Sequence, residues 1–234
     1  MRIKHLIQIV TLICLLSCKN DKQEAYSSIE VLRQVYSSSD LTTWPEPNLD
    51  SIIDKSTFED IGVLPDMPYP ADNTYSKDKA KLGKTLFFDP RLSNSGQIAC
   101  ASCHNPELGW TDNLTRSFGH NRQTGGRNSM TILNSGYAHT LFWDGRASSL
   151  EDQAQFPIGD PLEMNEPLNI AVATIAGIKG YRPLFKKAFG NDSVSLKSIQ
   201  YAIATFERTI KSPKSKFDKF ISGDSDQFTD QEVM

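Results

Sequence analysis

Cys100-Ala101-Ser102-Cys103-His104 sets two thiols and an imidazole at a spacing that suits covalent attachment of a c-type haem. Two cysteines three positions apart share one turn of helix, so each can form a thioether to a porphyrin vinyl group. The histidine that follows can then offer a ring nitrogen to the iron. A CxxC pair is also compatible with half of a zinc site or with a dithiol redox centre. Zinc needs two further ligands, and the other two cysteines, Cys14 and Cys18, fall in a segment read as processed or lipidated. A thioredoxin-like dithiol sits in a βαβ pattern, which this region lacks. The five-residue motif as a whole therefore favours haem.

The elements that must position this motif are helical. Ala80, Leu82, Leu86 and Phe87 recur at helical spacing until Asp89-Pro90 stops them, and the motif occupies a short helix of its own. Asn105-Pro106, Gly109, Gly119, Gly125-Gly126 and Gly136 break the next stretch into loops of the kind that wrap a cofactor. Ser148-Ser149-Leu150-Glu151 offers a capping box, and Leu168 to Ile178 repeats apolar residues at helical spacing. Pro183 to Gly190 has proline near its start and glycine at its end. Ser195 caps a helix whose Leu196, Ile199, Ile203, Phe206 and Ile210 form one core stripe. No alternating strand pattern or internal repeat is present. The predicted class is mainly α, a cytochrome c-like haem domain with long loops.

The ends carry separate signals. Arg2, Lys4 and His5 precede the apolar run Leu6 to Leu16, the layout of a secretory signal and too short to span a membrane. Leu15-Leu16-Ser17-Cys18 resembles a bacterial lipobox, which makes Cys18 the expected lipidation site and residues 1–17 the removed segment. What remains has 23 basic against 28 acidic side chains, a net charge of −5, and no basic patch that suggests nucleic acid. Residues 18–75 are polar and punctuated by prolines, a tether and extended arm with a short helix around Ile29 to Tyr36. The haem domain is placed at 76–225. Thr229-Asp230-Gln231-Glu232 announces another helix just before Met234, so 226–234 reads as the start of a truncated second domain.

Several separated blocks resemble the bacterial di-haem cytochrome c peroxidases and their methylamine-utilisation relatives. They are Leu82-Gly83-Lys84-Thr85-Leu86-Phe87-Phe88-Asp89-Pro90-Arg91-Leu92-Ser93, the haem motif, Gly119-His120, Gly126-Arg127-Asn128-Ser129, Phe142-Trp143-Asp144-Gly145-Arg146 and Leu162-Glu163-Met164-Asn165. The resemblance implies the peroxide-reacting haem domain, with the family's second haem motif expected beyond Met234 and complete turnover in doubt without it. It makes His104 the proximal ligand and His120 the resting distal ligand, which must leave before peroxide binds. It makes Glu163 the acid–base residue, Trp143 an electron-transfer residue between haems and Asn128 a ligand of a calcium ion. It further implies reduction of hydrogen peroxide by a small cytochrome c or cupredoxin, a periplasmic location with a lipid anchor, and pairing of two chains. Two other readings compete. One is a monohaem carrier with Met130 or Met164 as sixth ligand, and the other is a methylamine-type enzyme oxidising another substrate. A ligand like His120 favours the peroxidase, and His139 matches no block.

Overall fold

The structure, a computed structural model, describes residues 28–56, 58 and 61–234. The signal segment, Cys14 and Cys18 lie outside the described residues. Two compact units emerge, one of Asp66–Ser212 and one that joins the chain before it to 213–234. No strand forms among the described residues, only helices and three isolated bridges.

In the smaller unit, α1 (Ile29–Tyr36) starts at Ser28, whose hydroxyl accepts from the Val31 N–H. In the larger unit, α2 (Lys77–Phe87) is capped by Ser76 and ends where Asp89-Pro90 begins. Then come α3 (Cys100–Cys103), α4 (Leu150–Gln153), α5 (Gln155–Gly159), α6 (Leu168–Gly177), α7 (Tyr181–Phe189) and α8 (Leu196–Glu207). Ser195 caps α8 as expected, and Ser198 closes a capping box with it. Helix α7 opens at Tyr181, ahead of the expected Pro183. Proline is tolerated there because the first turn leaves its N–H groups unbonded anyway.

The core forms where α2 meets α8. Leu82, Leu86 and Phe87 bury their side chains against Ile199, Ile203 and Phe206, each burial being worth about 1.5–3 kcal/mol. Gly83 makes the close approach possible, since a Cβ there would stand 1.8 Å from the Ala202 carbonyl oxygen.

A polar network lies within this packing. Asn73, fully buried, donates to Glu151 Oε1 at 2.6 Å and accepts from Lys79 Nζ at 2.9 Å. Arg208 grips Glu151 with two nitrogens at 2.6 and 3.0 Å. Burial pushes the Glu151 carboxyl up, but Arg208 and Asn73 outweigh it and hold the group ionised below its usual range. Because Asn73 is an anchor, the segment expected to be arm up to residue 75 already belongs to the compact unit from Asp66. The compact unit that holds the motif runs on to Ser212.

The smaller unit continues with α9 (Lys216–Ile221) and α10 (Asp230–Val233). Arg33 of α1 donates to the Ser225 and Phe228 carbonyls at 2.5 and 2.6 Å and to Asp230 at 2.6 Å. Phe220 and Phe228 stack at 4.5 Å, and Thr229 N–H donates to Glu232 as the capping box requires.

Candidate haem site

Helix α3 is a single turn, and it delivers Cys100, Cys103 and His104 to one place. Burial raises both thiols well above the usual range, Cys103 to about 11. Reactive dithiol centres and zinc sites depress their thiols instead, so this environment suits sulfur that is neutral, as it is in a thioether. Burial also lowers the His104 imidazole, which keeps it neutral and able to ligate. Its Nδ1 lies 3.2 Å from the Trp110 carbonyl and 3.4 Å from Ser129 Oγ, whose hydroxyl donates to the Cys103 carbonyl. A carbonyl at Nδ1 places the proton on that nitrogen and leaves the Nε2 lone pair for a metal.

Three loops of equal span carry the rest of the site. Asn105 bridges Thr111, Phe118 bridges Thr124 and Leu141 bridges Ala147. Each loop contains left-handed residues: Gly109 and Trp110 in the first, Asn121 and Arg122 in the second, Phe142 and Gly145 in the third. For tryptophan, arginine and phenylalanine this conformation is strained, and surrounding contacts must hold it. Trp110 is held by its ring, which meets Phe87 and Phe206 edge-on, each at 6.1 Å.

The second loop carries His120. Its backbone N–H donates to the Glu163 carbonyl at 2.7 Å, so two of the expected site residues are neighbours. Gly119 allows this contact, since a Cβ there would fall 1.9 Å from the Leu162 carbonyl oxygen. His120 Nδ1 is buried and has no hydrogen-bond partner among the described residues. Glu163 is partly buried, and its carboxyl is pushed up by burial first and then by Asp160, with Arg146 opposing.

The third loop presents Trp143, 60% exposed, with its indole N–H donating to the Asn128 carbonyl at 3.0 Å. Trp143 is therefore a surface group rather than a packing residue. Beside it Arg146 covers the Phe142 ring at 3.4 Å and pairs with Asp144 at 2.9 Å. The Asn128 amide donates to the Leu114 carbonyl at 2.5 Å. No cluster of acidic side chains surrounds it among the described residues, so Asn128 would supply one oxygen of the six to eight that calcium takes. Met164 is buried in the core and Met130 lines an open pocket of about 540 Å³ beside Ser129 and Trp143. A core methionine is unavailable as a sixth ligand without unpacking. His139 is exposed.

Sequence reasoning passed over Trp110, Ser129, Gly119 and Arg146 as individual contributors. The turn signals at Asn105-Pro106 and Gly109 hinted at the first.

The residues present fit a haem: two shielded thiols, an imidazole with Nε2 free, and a second buried imidazole nitrogen, on His120, without a partner among the described residues. An all-helical domain built on such a motif is a c-type haem domain. The chain belongs to the di-haem cytochrome c peroxidase family, whose model matches residues 77–226, and the cofactor of that family is covalently bound haem c. It is 47% identical over 180 residues to cytochrome c551 peroxidase of Nitrosomonas europaea, an overlap covering 75% of this chain and 54% of that protein. Its identity to the methylamine utilization protein MauG of Methylophilus methylotrophus is 46% over 158 residues, 68% of this chain and 47% of that one. A solved MauG-like protein associated with microbial copper homeostasis superposes with a TM-score of 0.63 at 32% identity, covering 75% of this chain and 50% of the other. The chain thus spans about half the length of the curated relatives it matches.

Proposed function

We propose that this chain is the peroxide-reducing haem c domain of an exported cytochrome c peroxidase. The observation that carries the reading is the pairing of His120 with Glu163: one backbone hydrogen bond joins them, and the buried His120 Nδ1 lacks a partner. Cys100 and Cys103 would tether the haem, and His104 would hold its iron through Nε2. When bound, the haem supplies an electron-rich iron that weakens the O–O bond of peroxide.

The chain's own groups supply the rest. The Trp110 carbonyl accepts the His104 Nδ1 proton, which strengthens the imidazole as a donor to metal. His120 yields its place to peroxide, and its left-handed neighbours Asn121 and Arg122 are the backbone that would move. Glu163, its carboxyl raised by burial, takes the proton from the near oxygen of hydrogen peroxide and returns one to the far oxygen, which leaves as water. Electrons come from a small cytochrome c or cupredoxin. Export by the N-terminal signal, lipidation of Cys18 and a periplasmic site complete the proposal, and no described helix is long and apolar enough to cross a membrane.

The test is Glu163→Gln in haem-loaded protein. We expect the rate of peroxide consumption to fall by about 10²–10⁴ with the haem absorption bands unchanged. An unaltered rate would remove Glu163 from the chemistry, and a haem that ignores peroxide in the parent protein would end the peroxidase reading.

A further inference from the structure

Glu207 is a buried titratable side chain that the proposed chemistry leaves unused. It closes α8, is 4% exposed, and its Oε2 has no hydrogen-bond partner among the described residues. The adjacent Arg208 is its nearest candidate counter-ion in sequence, but that guanidinium spends two nitrogens on Glu151, at 2.6 and 3.0 Å. A carboxylate buried without a partner is costly, so Glu207 keeps its proton well above the usual carboxylate range.

Its place gives this carboxyl a reach. Among the charged groups that act on the Cys100 thiol, Glu207 has the largest effect. Phe206, one residue earlier, meets Phe87 at 5.3 Å and Trp110 at 6.1 Å. Those two residues wall His104, through the Phe87 ring at 6.4 Å and the Trp110 carbonyl 3.2 Å from Nδ1. The end of α8 thus lies against the motif that carries Cys100 and His104.

Few other charges compete there. Glu151 from α4 and Cys100 from α3 face Glu207, with Arg208 beside it. Lys79 of α2 is taken by Asn73 and the Thr74 carbonyl, while Lys77, Asp78, Lys81 and Lys84 are exposed. Helix α6 has no charged side chain, and α7 leaves Arg182, Lys186 and Lys187 exposed. Asp89 is engaged by Arg91 and Tyr181, and Asp112 acts on Cys103 and His104.

We propose that Glu207 is a redox-linked proton acceptor, binding a proton when the iron held by His104 gains an electron and releasing it when that electron is passed on. The inference rests on the haem reading of His104 given above. A one-electron donor loses one electron, ferric iron becomes ferrous, and the Glu207 carboxylate takes one proton from solvent; one O–H bond forms and no heavy-atom bond changes. The added electron makes the buried surroundings less positive by one unit, and protonation of the carboxylate cancels that change where water does not reach. Reduction of peroxide to water consumes protons as well as electrons, and Glu207 stores one beside the motif.

The experiment is a potentiometric titration of the haem-loaded full chain, followed by the haem absorption bands at pH values on both sides of about 8. In the parent the midpoint should fall as pH rises, because each tenfold loss of protons shifts the reduction equilibrium by up to tenfold, or up to about 59 mV per pH unit for one electron. Glu207→Gln keeps the shape and removes the ionisation, so its midpoint should stay level over the same range, and Glu207→Asp should restore a slope. Redox-difference infrared spectra give a second readout: a protonated-carboxyl band should grow on reduction of the parent and be missing from Glu207→Gln. A parent midpoint that ignores pH overturns the proposal, and so does a slope that Glu207→Gln leaves intact, because another group then takes the proton. Peroxide consumption with a chemical reductant is measured in parallel: its absence alongside an intact Glu207-dependent slope defeats the peroxidase reading and leaves the proton acceptor standing.

Discussion

His104 and His120 place one side chain type in two opposite situations. His104 has Nδ1 engaged by a carbonyl and a hydroxyl, while His120 keeps a buried Nδ1 with no partner. On the proposed reading the first would be the fixed ligand and the second the releasable one, and only the first was readable from its immediate neighbours in sequence. The His120–Glu163 contact depends on Gly119, so Gly119→Ala should cost about 1–3 kcal/mol and disturb the haem spectrum, read by urea melts and absorbance. Glu207 is a residue no sequence pattern singled out. It ends α8 4% exposed with Oε2 unpartnered among the described residues, and burial pushes its carboxyl up to about 8, Arg208 opposing and Glu151 adding. The folded protein holds that proton to about pH 8, whereas an unfolded chain releases it near 4.5. Between those values the unfolded state binds fewer protons, so stability should fall as pH rises and level off above 8. Glu207→Gln should flatten that slope and gain on the order of 2–3 kcal/mol at pH 8 relative to the parent, with little difference near pH 4; denaturation at the two pH values decides it.

At the scale of elements, caps and periodicity made the helices legible. Ser195 and Thr229 each start the helix their spacing announces, while α4 is capped by Ser149, one position after the Ser148 that the box with Glu151 implied. The contacts between helices were not legible, because they rest on residues whose local signal points elsewhere. Lys79 and Asn73 read as ordinary polar positions, yet both are buried and tie α2 to Glu151 of α4. Gly83 reads as a weak spot inside a helix and is instead where α2 touches α8. Gly83→Ala should force the pair apart at a cost of about 1–3 kcal/mol, seen as a lower urea midpoint, whereas Gly177→Ala, with open space around it, should not. The loops escaped sequence reading for a similar reason: local preference argues against left-handed tryptophan and phenylalanine, and only their packing makes Trp110 and Phe142 adopt it.

For the whole molecule, the mainly α class and the haem-binding unit followed from motif and periodicity, while the division into units did not. Arg33 and the Ser225–Asp230 stretch lie almost 200 positions apart, and no local pattern couples them. Arg33→Ala should remove three hydrogen bonds at once and lower amide protection in α1 and in 225–233 together, by about 1–3 kcal/mol in exchange free energy. If only one of the two segments loosens, Arg33 is not the pin.

The three loops closed by single bridges have a consequence for engineering. Each is shut at its own base by partners six positions apart, Asn105–Thr111, Phe118–Thr124 and Leu141–Ala147, so its ends are fixed by its own neck, with no sheet, while its tip is held by packing outside the loop. A segment sealed at its neck can be moved as a cassette: transplanting the His120 loop from a relative of equal length, with Gly119 and its contact to Glu163 kept, should exchange the histidine proposed to leave the iron while the helical scaffold stays as it is.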